Sequence, residues 1–297
     1  MLQFIVDVLI RTSDIMLVAV GLSVVYSLVK FPNIAHVQYA MLGAFGTLAL
    51  NRTGLPFSLA LIGACVATGL VAVLLNVLVF KRLLRSGSSI AMIGSLAISM
   101  VLIAVVLGVA GSRPFRYSSE LSSPINLGST TISVDQITSI ACGFGCVALL
   151  AVLLFKTGVG RSMRAMSSNP ALAAATGVDG ARVVNGITFL SGALAALGGT
   201  MLGLTETVHV GLGTNLLLPV FAAAILGGLG NPLGAAAGAL LISVAETLVT
   251  NLDFGWMFGT SDVYVPVTYI SAASFVILLV VLLFKPYGIF DREVRRV

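Results

Sequence analysis

SSIAMIGSLAISMVLIAVVLGVA, residues 88–110, runs without a charged side chain between Gly87 and Gly111. Its length suits the ~20 residues that a helix needs to cross a hydrocarbon core of roughly 30 Å. It lacks the alternation of apolar and polar residues that marks a strand of an outer-membrane barrel. The remainder of the chain reads the same way. Of 297 residues, 58% are apolar and 9% charged, and the mean hydropathy is +1.09. So little charge cannot cover a water-facing surface, and the chain is therefore an integral membrane protein.

Hydropathy places nine spans near 14–30, 33–50, 56–80, 88–110, 135–156, 183–207, 216–230, 233–251 and 264–284. The expected fold is an all-α polytopic bundle of about 8–10 transmembrane helices, some short and broken, forming one membrane domain over residues 1–297. Residues 1–12, MLQFIVDVLIRT, carry Asp7 and Arg11 and read either as an interfacial helix or as the start of the first span. No basic segment precedes the apolar part, as a cleaved signal peptide would require.

Lysine and arginine set the expected orientation. With Lys30, the gap after the third span (Lys81, Arg82, Arg85), the region around the 157–182 loop (Lys156, Arg161, Arg164, Arg182) and the tail (Lys285, Arg292, Arg295, Arg296) in the cytoplasm, 12 of the 16 basic residues lie inside. Arg11, Arg52, Arg113 and Arg116 remain outside. Nine spans then put the N-terminus outside, the C-terminus in the cytoplasm and the polar stretch 111–134 in an outer loop. The pI of 9.4 thereby becomes a topology signal rather than a sign of nucleic-acid binding.

Several chemistries find no support. No Gly-Lys pair occurs, so the chain carries no phosphate-cradling loop of its own. The two histidines lie far apart, without HExxH or CxxC, which argues against a zinc or redox centre. Cys65, Cys142 and Cys146 all fall within spans and read as small apolar side chains. What remains is a bundle with 32 glycines, whose small residues let helix backbones approach closely.

Four segments together carry a resemblance: VVYSLVKFPNIAHVQYAMLGA, GVGRSMRAMSSNPALAAATGVDGARV, AAAILGGLGNPLGAAAGALLISVAETL and FKPYGIF. In this order, and over about residues 20–290, the chain resembles the permease subunits of bacterial ABC importers for branched-chain amino acids, a family that includes urea and short-amide importers. The resemblance implies a subunit that catalyses no covalent reaction and moves a small solute inward by alternating access. It also implies a second, related permease chain, two ATPase subunits that hold ATP and magnesium, an extracytoplasmic solute-binding protein and a place in the bacterial cytoplasmic membrane. An ion-coupled secondary transporter stays open; it would need midplane ligands, for which Glu246 alone offers itself. A passive channel would not need the 157–182 loop.

That loop has a reading in both chemistry and resemblance. Asn169 and Pro170 suit the start of a short helix, Ala171, Leu172, Ala173 and Ala174 give it high propensity and a flat profile, and Gly177 suits its end. In ABC importer permeases a Glu-Ala-Ala segment, followed four residues later by glycine, docks into a groove of the ATPase. Ala171, Leu172, Ala173 and Gly177 occupy those positions here, without the glutamate.

Within the membrane, polar groups are costly and mark function by default. Pro32 breaks the chain in FPNIAHVQY; Asn33 and His36 are spaced to share a helix face, and Gln38 follows. These three and Glu246 are the candidate solute path. His36 equally suits a structural role near the cytoplasmic edge, and Glu246 equally suits hydrogen-bonded packing. The resembled family commonly has Gly-Glu where Val37-Gln38 stand, and a lysine where LLLPVF stands. Glu206 and His209 fall near the outer end of the sixth span and read either as lining the entry from a binding protein or, as the favoured expectation, as simply meeting water. Gly227, Gly228, Gly230, Pro232 and Gly234 form a helix-breaking hairpin that lets two half-length segments pack or pivot, and no lysine or strand supports a nucleotide loop there.

Overall fold

A computed structural model describes residues 2–117, 124–127, 130–252, 266, 269–284 and 288–289. Each of the nine expected spans has its helix: α1 (Leu2–Val29), α2 (His36–Arg52), α3 (Phe57–Ser86), α4 (Ser88–Ala110), α5 (Val134–Lys156), α8 (Gly180–Thr205), α9 (Leu212–Leu226), α10 (Pro232–Asn251) and α11 (Ile270–Phe284). Between α5 and α8 lie α6 (Gly158–Ser168) and α7 (Pro170–Ala175). Residues 264–268 of the last expected span, apart from Pro266, fall outside the described residues, as does the tail with Lys285, Arg292, Arg295 and Arg296.

The open reading of residues 1–12 resolves in favour of the first span, because α1 is continuous from Leu2. Among the described residues, six helices are long and apolar enough to cross a membrane, whereas α9 and α11 are shorter apolar helices. The layers follow from how the helices are buried. α1, α2 and α8 pack in the middle with α10 against α1, while α3, α4 and α5 turn long aliphatic side chains such as Leu70, Ile93, Met100 and Leu149 outward. Small residues make the central crossings. A Cβ on Gly43 would overlap Ala196, and one on Gly199 would overlap the backbone of Ala40, so α2 and α8 touch through their main chains.

The loops sort onto two rims. On one, Ser88 donates to the carbonyl of Lys30 (3.4 Å), Ser167 to that of Ser27 (3.0 Å), and the α9–α10 turn sits by Ser27. The opposite rim carries the 111–117 segment, whose Phe115 exchanges backbone hydrogen bonds with Val208 (2.8 Å each way). There, outside the helices, lies a strand pair, β1 (Pro124–Leu127) with β2 (Thr130–Ser133), antiparallel with Pro124 opposite Ser133. Ser133 then starts α5 through a capping box with Gln136. Tyr117 reaches down from this rim to donate to the carbonyl of Ala44 (2.9 Å), two turns inside α2.

Candidate functional site

α1 ends at Val29, and Lys30 adopts φ +56°, a left-handed residue that stops the helix. The chain then re-enters the bundle before α2 starts at His36. Asn33 therefore stands ahead of the helix and shares no face with His36; its Oδ1 accepts from the Ala35 backbone N–H (3.1 Å). Pro32 sits in this break, where its missing N–H costs no helical bond. His36 lies deeper than the rim position expected of it. One ring nitrogen sits 3.1 Å from the carbonyl of Val18 and the other 3.3 Å from Ser191 Oγ, and Ser191 donates to the carbonyl of Gly21 (2.8 Å). Val18 is about three turns from the end of α1, so His36 is roughly 16 Å inside the bundle. It ties α1, α2 and α8 together where the chain is broken.

The second break faces the first. α9 has 15 residues and starts at Leu212 next to Gln38, whose Nε2 lies 3.5 Å from Thr214 Oγ1. A Cβ on Gly213 would overlap the Gln38 side-chain oxygen, so glycine is what lets α9 begin there. That oxygen is buried and has no hydrogen-bond partner among the described residues. Two helix N-termini, those of α2 and α9, thus meet in mid-bundle beside a glutamine, an arrangement shared with the broken helices of transporters. Gln38 faces α9 here, while His36, two residues before it, turns to α1 and α8, and Glu246 joins neither.

Glu246 belongs to another polar cluster, nearer the rim of the β-hairpin. It is 1% exposed and pairs with Arg11 (Nε to Oε2, 2.7 Å). The Ser274 hydroxyl donates to its other oxygen. Asp14, one turn beyond Arg11, accepts from Ser139 (3.3 Å), which also meets Ser13 (3.2 Å). Two neighbouring cavities open onto these groups. Arg11, Asp14, Glu206 and Glu246 line one of about 300 Å³, and Arg11, Glu206, His209 and Asn215 line one of about 400 Å³. Glu206 and His209 thus line these cavities, the first of their two expected placements, with His209 held by the carbonyl of Thr207 (3.1 Å) and by Asn215 (3.2 Å). Sequence reasoning kept Arg11 for topology and passed over Asp14. Their spacing of three on one helix face was the available signal.

The α9–α10 hairpin is tightly packed. Gly228 and Gly230 have φ of +87° and +94°, and Gly227 lies so close to Gly234 that neither has room for a Cβ. Asn231 caps α10 by accepting from the Gly234 N–H (3.1 Å), and Pro232 takes the first turn. Of the two segments, α9 is short, but α10 is long enough to cross a membrane.

On the Lys30 rim, α7 forms where expected. Asn169 Oδ1 accepts from the Leu172 N–H (3.0 Å), Pro170 occupies the first turn, and Gly177 (φ +85°) ends the segment as its N–H reaches the Ala174 carbonyl (3.0 Å). The helix does not present a uniform alanine face. Ala173 is buried, whereas Leu172 is 62% exposed with Ala171 and Ala174 beside it. Arg164 folds back to the carbonyl of Leu154, and Gly160 passes that same carbonyl too closely for any side chain, so α6 is fixed against the end of α5.

A multi-helix membrane bundle with broken helices meeting at its centre and a short capped helix on one rim defines a permease-type transport protein. The family described as branched-chain amino acid transport system / permease component matches residues 4–284, and the chain belongs to it. The probable branched-chain amino acid transport permease protein LivH of Methanocaldococcus jannaschii is 29% identical over 303 residues, covering 95% of this chain and 90% of that protein. The high-affinity permease protein LivH of Salmonella typhimurium is 29% identical over 298 residues (95% and 92% covered). BraD of Pseudomonas aeruginosa is 26% identical over 313 residues (100% and 98% covered). Among solved structures, PsaBC from Streptococcus pneumoniae in complex with Fab aligns with TM-score 0.53 at 14% identity, over 96% of this chain and 92% of that one, which is a likeness of fold.

Proposed function

We propose that the chain is one membrane half of an ATP-driven importer, set in the cytoplasmic membrane, that carries a branched-chain or related amino acid inward by alternating access. In this reading two separate ATPase subunits hold ATP and magnesium, a second, related permease completes the pathway, and an extracytoplasmic binding protein delivers the solute to the rim of the β-hairpin. The Lys30 rim faces the cytoplasm. It carries Lys30, Lys81, Arg82, Arg85, Lys156, Arg161, Arg164 and Arg182, against Arg11, Arg52, Arg113 and Arg116 towards the other side.

The carrying observation is α7, a capped helix on the basic rim with Leu172 turned out and Ala173 packed in. A large apolar side chain held out by a rigid short helix is suited to a groove on a partner. Family membership supports an ATPase as that partner. The solute meets the Arg11–Glu206 cavities first and then the break where Gln38 faces the start of α9, with His36 two residues before it in α2. A secondary transporter is less well supported: Glu246, the acid it would use, is already paired with Arg11 and Ser274.

The test is co-purification of the ATPase subunits, with leucine uptake and ATP turnover in proteoliposomes containing the binding protein. Leu172→Glu leaves insertion and thermal stability unchanged and removes both ATPase retention and uptake. If Leu172→Glu retains the ATPase and transports leucine at the wild-type rate, α7 is not the coupling contact. If the unaltered complex takes up leucine without ATP, the importer reading itself fails.

A further inference from the structure

The two cavities at the rim of the β-hairpin share a wall. Arg11, Glu206 and Ile270 line both, so the spaces of about 300 and 400 Å³ adjoin at these three side chains. The larger one has a divided lining. Arg11 and Glu206 bring charges of opposite sign, whereas Leu202, Leu212, Leu216 and Ile270 are apolar. Leu202, Leu212 and Leu216 are buried, so the apolar part lies on the inner side. Leu212 opens α9, beside the contact of Gln38 with Thr214, and the cavity therefore reaches from the rim towards the break. The smaller cavity differs: its further ionisable groups, Asp7, Asp14 and Glu246, are all acids, and Ile10 and Ile270 are its only large apolar side chains.

Both charges of the larger cavity have capacity left. Arg11 donates from Nε to Glu246 (2.7 Å), the one hydrogen bond of its side chain among the described residues. A guanidinium carries five N–H donors in a planar fork, so the two terminal nitrogens remain for a carboxylate, and the bond to Glu246 fixes how they point. Glu206 follows directly on the last residue of α8 and makes no side-chain hydrogen bond or ion pair among the described residues. A helix C-terminus is the negative end of the dipole, so a carboxylate placed there works against the fold and favours a cation beside it.

We propose that the 400 Å³ cavity is an entry station for a zwitterion, in which Arg11 donates to the carboxylate of the solute, Glu206 accepts from its ammonium group, and an aliphatic side chain lies on Leu202, Leu212 and Leu216. The volume falls in the range of small-ligand pockets, roughly 300–1,000 Å³. The proposal rests on the reading of the solute as an amino acid, and adds the groups that recognise its two charged ends. A carboxylic acid without the ammonium leaves Glu206 unmatched, and an amine without the carboxylate leaves Arg11 unmatched.

The test is equilibrium binding of tritiated leucine to the assembled permease–ATPase complex in nanodiscs, without ATP and without binding protein, with 4-methylpentanoate and isopentylamine as competitors. Glu206→Gln raises the half-saturation concentration for leucine roughly tenfold, the loss of one charge-assisted contact, while Glu206→Asp keeps most of the binding. Thermal unfolding of Glu206→Gln matches that of the unaltered complex, because the side chain has no ion pair to lose. Leucine outcompetes both analogues in the unaltered complex; in Glu206→Gln its advantage over 4-methylpentanoate disappears. Unchanged leucine binding in Glu206→Gln overturns the site. An advantage over 4-methylpentanoate that persists in the variant overturns the ammonium contact, and isopentylamine competing as well as leucine overturns the part given to Arg11. An unaltered complex that retains no leucine overturns the station as a whole. If the expected pattern is seen but leucine uptake proves independent of ATP, the station stands and the importer reading falls.

Discussion

α1 and α4 are both apolar helices, yet they solve opposite problems. α4 has mean hydropathy 2.7 with 22% of its core window buried in protein; α1 has 1.9 with 83% buried. The more hydrophobic helix is the one on the outside. In water the order would be reversed, but lipid is as apolar as leucine, so hydropathy alone gives no reason to bury a helix in protein. What brings α1, α2 and α8 to the centre is close backbone contact at glycines and polar groups that need partners. Arg11, Asp14, Ser191 and Thr200 find theirs there, whereas α4 meets lipid with Ile93, Met100 and Val109.

One methyl group added on each side of this contrast challenges it most strongly. Gly199→Ala on α8 drives a Cβ into the Ala40 backbone, which cannot yield as a side-chain tip would; Gly145→Ala on α5 meets nothing within 4 Å. Gly199→Ala loses about 3 kcal/mol or more and much of the folded yield, while Gly145→Ala stays within about 0.5 kcal/mol. Thermal unfolding of both variants in the same detergent reads the difference. Equal behaviour would mean that the central crossings are not set by main-chain contact.

Charge probes the same difference between centre and periphery. Glu246→Leu leaves Arg11 facing a buried site without its partner, at a cost of about 3 kcal/mol, and Arg11→Met combined with it restores most of the loss because the site becomes apolar. Thermal unfolding of the two single variants and the double variant closes the cycle; a double variant no better than Glu246→Leu would show that the pair does not couple. Ser191→Ala is a smaller probe, removing one hydrogen bond to Gly21 and one contact with His36, and lowers stability by about 1 kcal/mol in the same measurement.

How much of this was legible in the sequence depends on whether the signal is local. The positions of the nine helices were, because length and hydropathy are properties of one segment, and α4 and α5 sit within a residue of where hydropathy put them, although only six of the described helices are long and apolar enough to cross a membrane. α7 was legible too, since Asn169, Pro170 and Gly177 are start and stop signals in a row. The depth of His36 was not: the proline announces a break, but that the chain then re-enters by roughly 16 Å depends on Val18 and Ser191, which lie in other helices. Glu246 was found and its partner missed for the same reason, as Arg11 is 235 residues away. The outward turn of Leu172 and the burial of Ala173 are set by packing on α6 and α8, which a run of alanines does not encode.

The smallest expected effect concerns a second, exposed ion pair. Arg182 and Asp179 meet at 3.0 Å, close to the 2.7 Å of Arg11 and Glu246, but their side chains are 89% and 48% exposed against 23% and 1%. Distance alone would rank the two pairs as near equals. At an exposed site, water already solvates both charges and salt screens what attraction remains, so Arg182→Ala shifts stability by no more than about 0.5 kcal/mol. Asp179 is different, because its Oδ1 also accepts from the Ala181 and Arg182 N–H groups (3.0 and 3.1 Å) at the start of α8. Asp179→Ala therefore costs about 1 kcal/mol through the lost cap, and the cost persists in high salt, where a charge pair would fade. Unfolding midpoints of both variants at low and high salt separate cap from charge: a salt-sensitive loss in Asp179→Ala would mean that the ion pair, and not the cap, holds the head of α8.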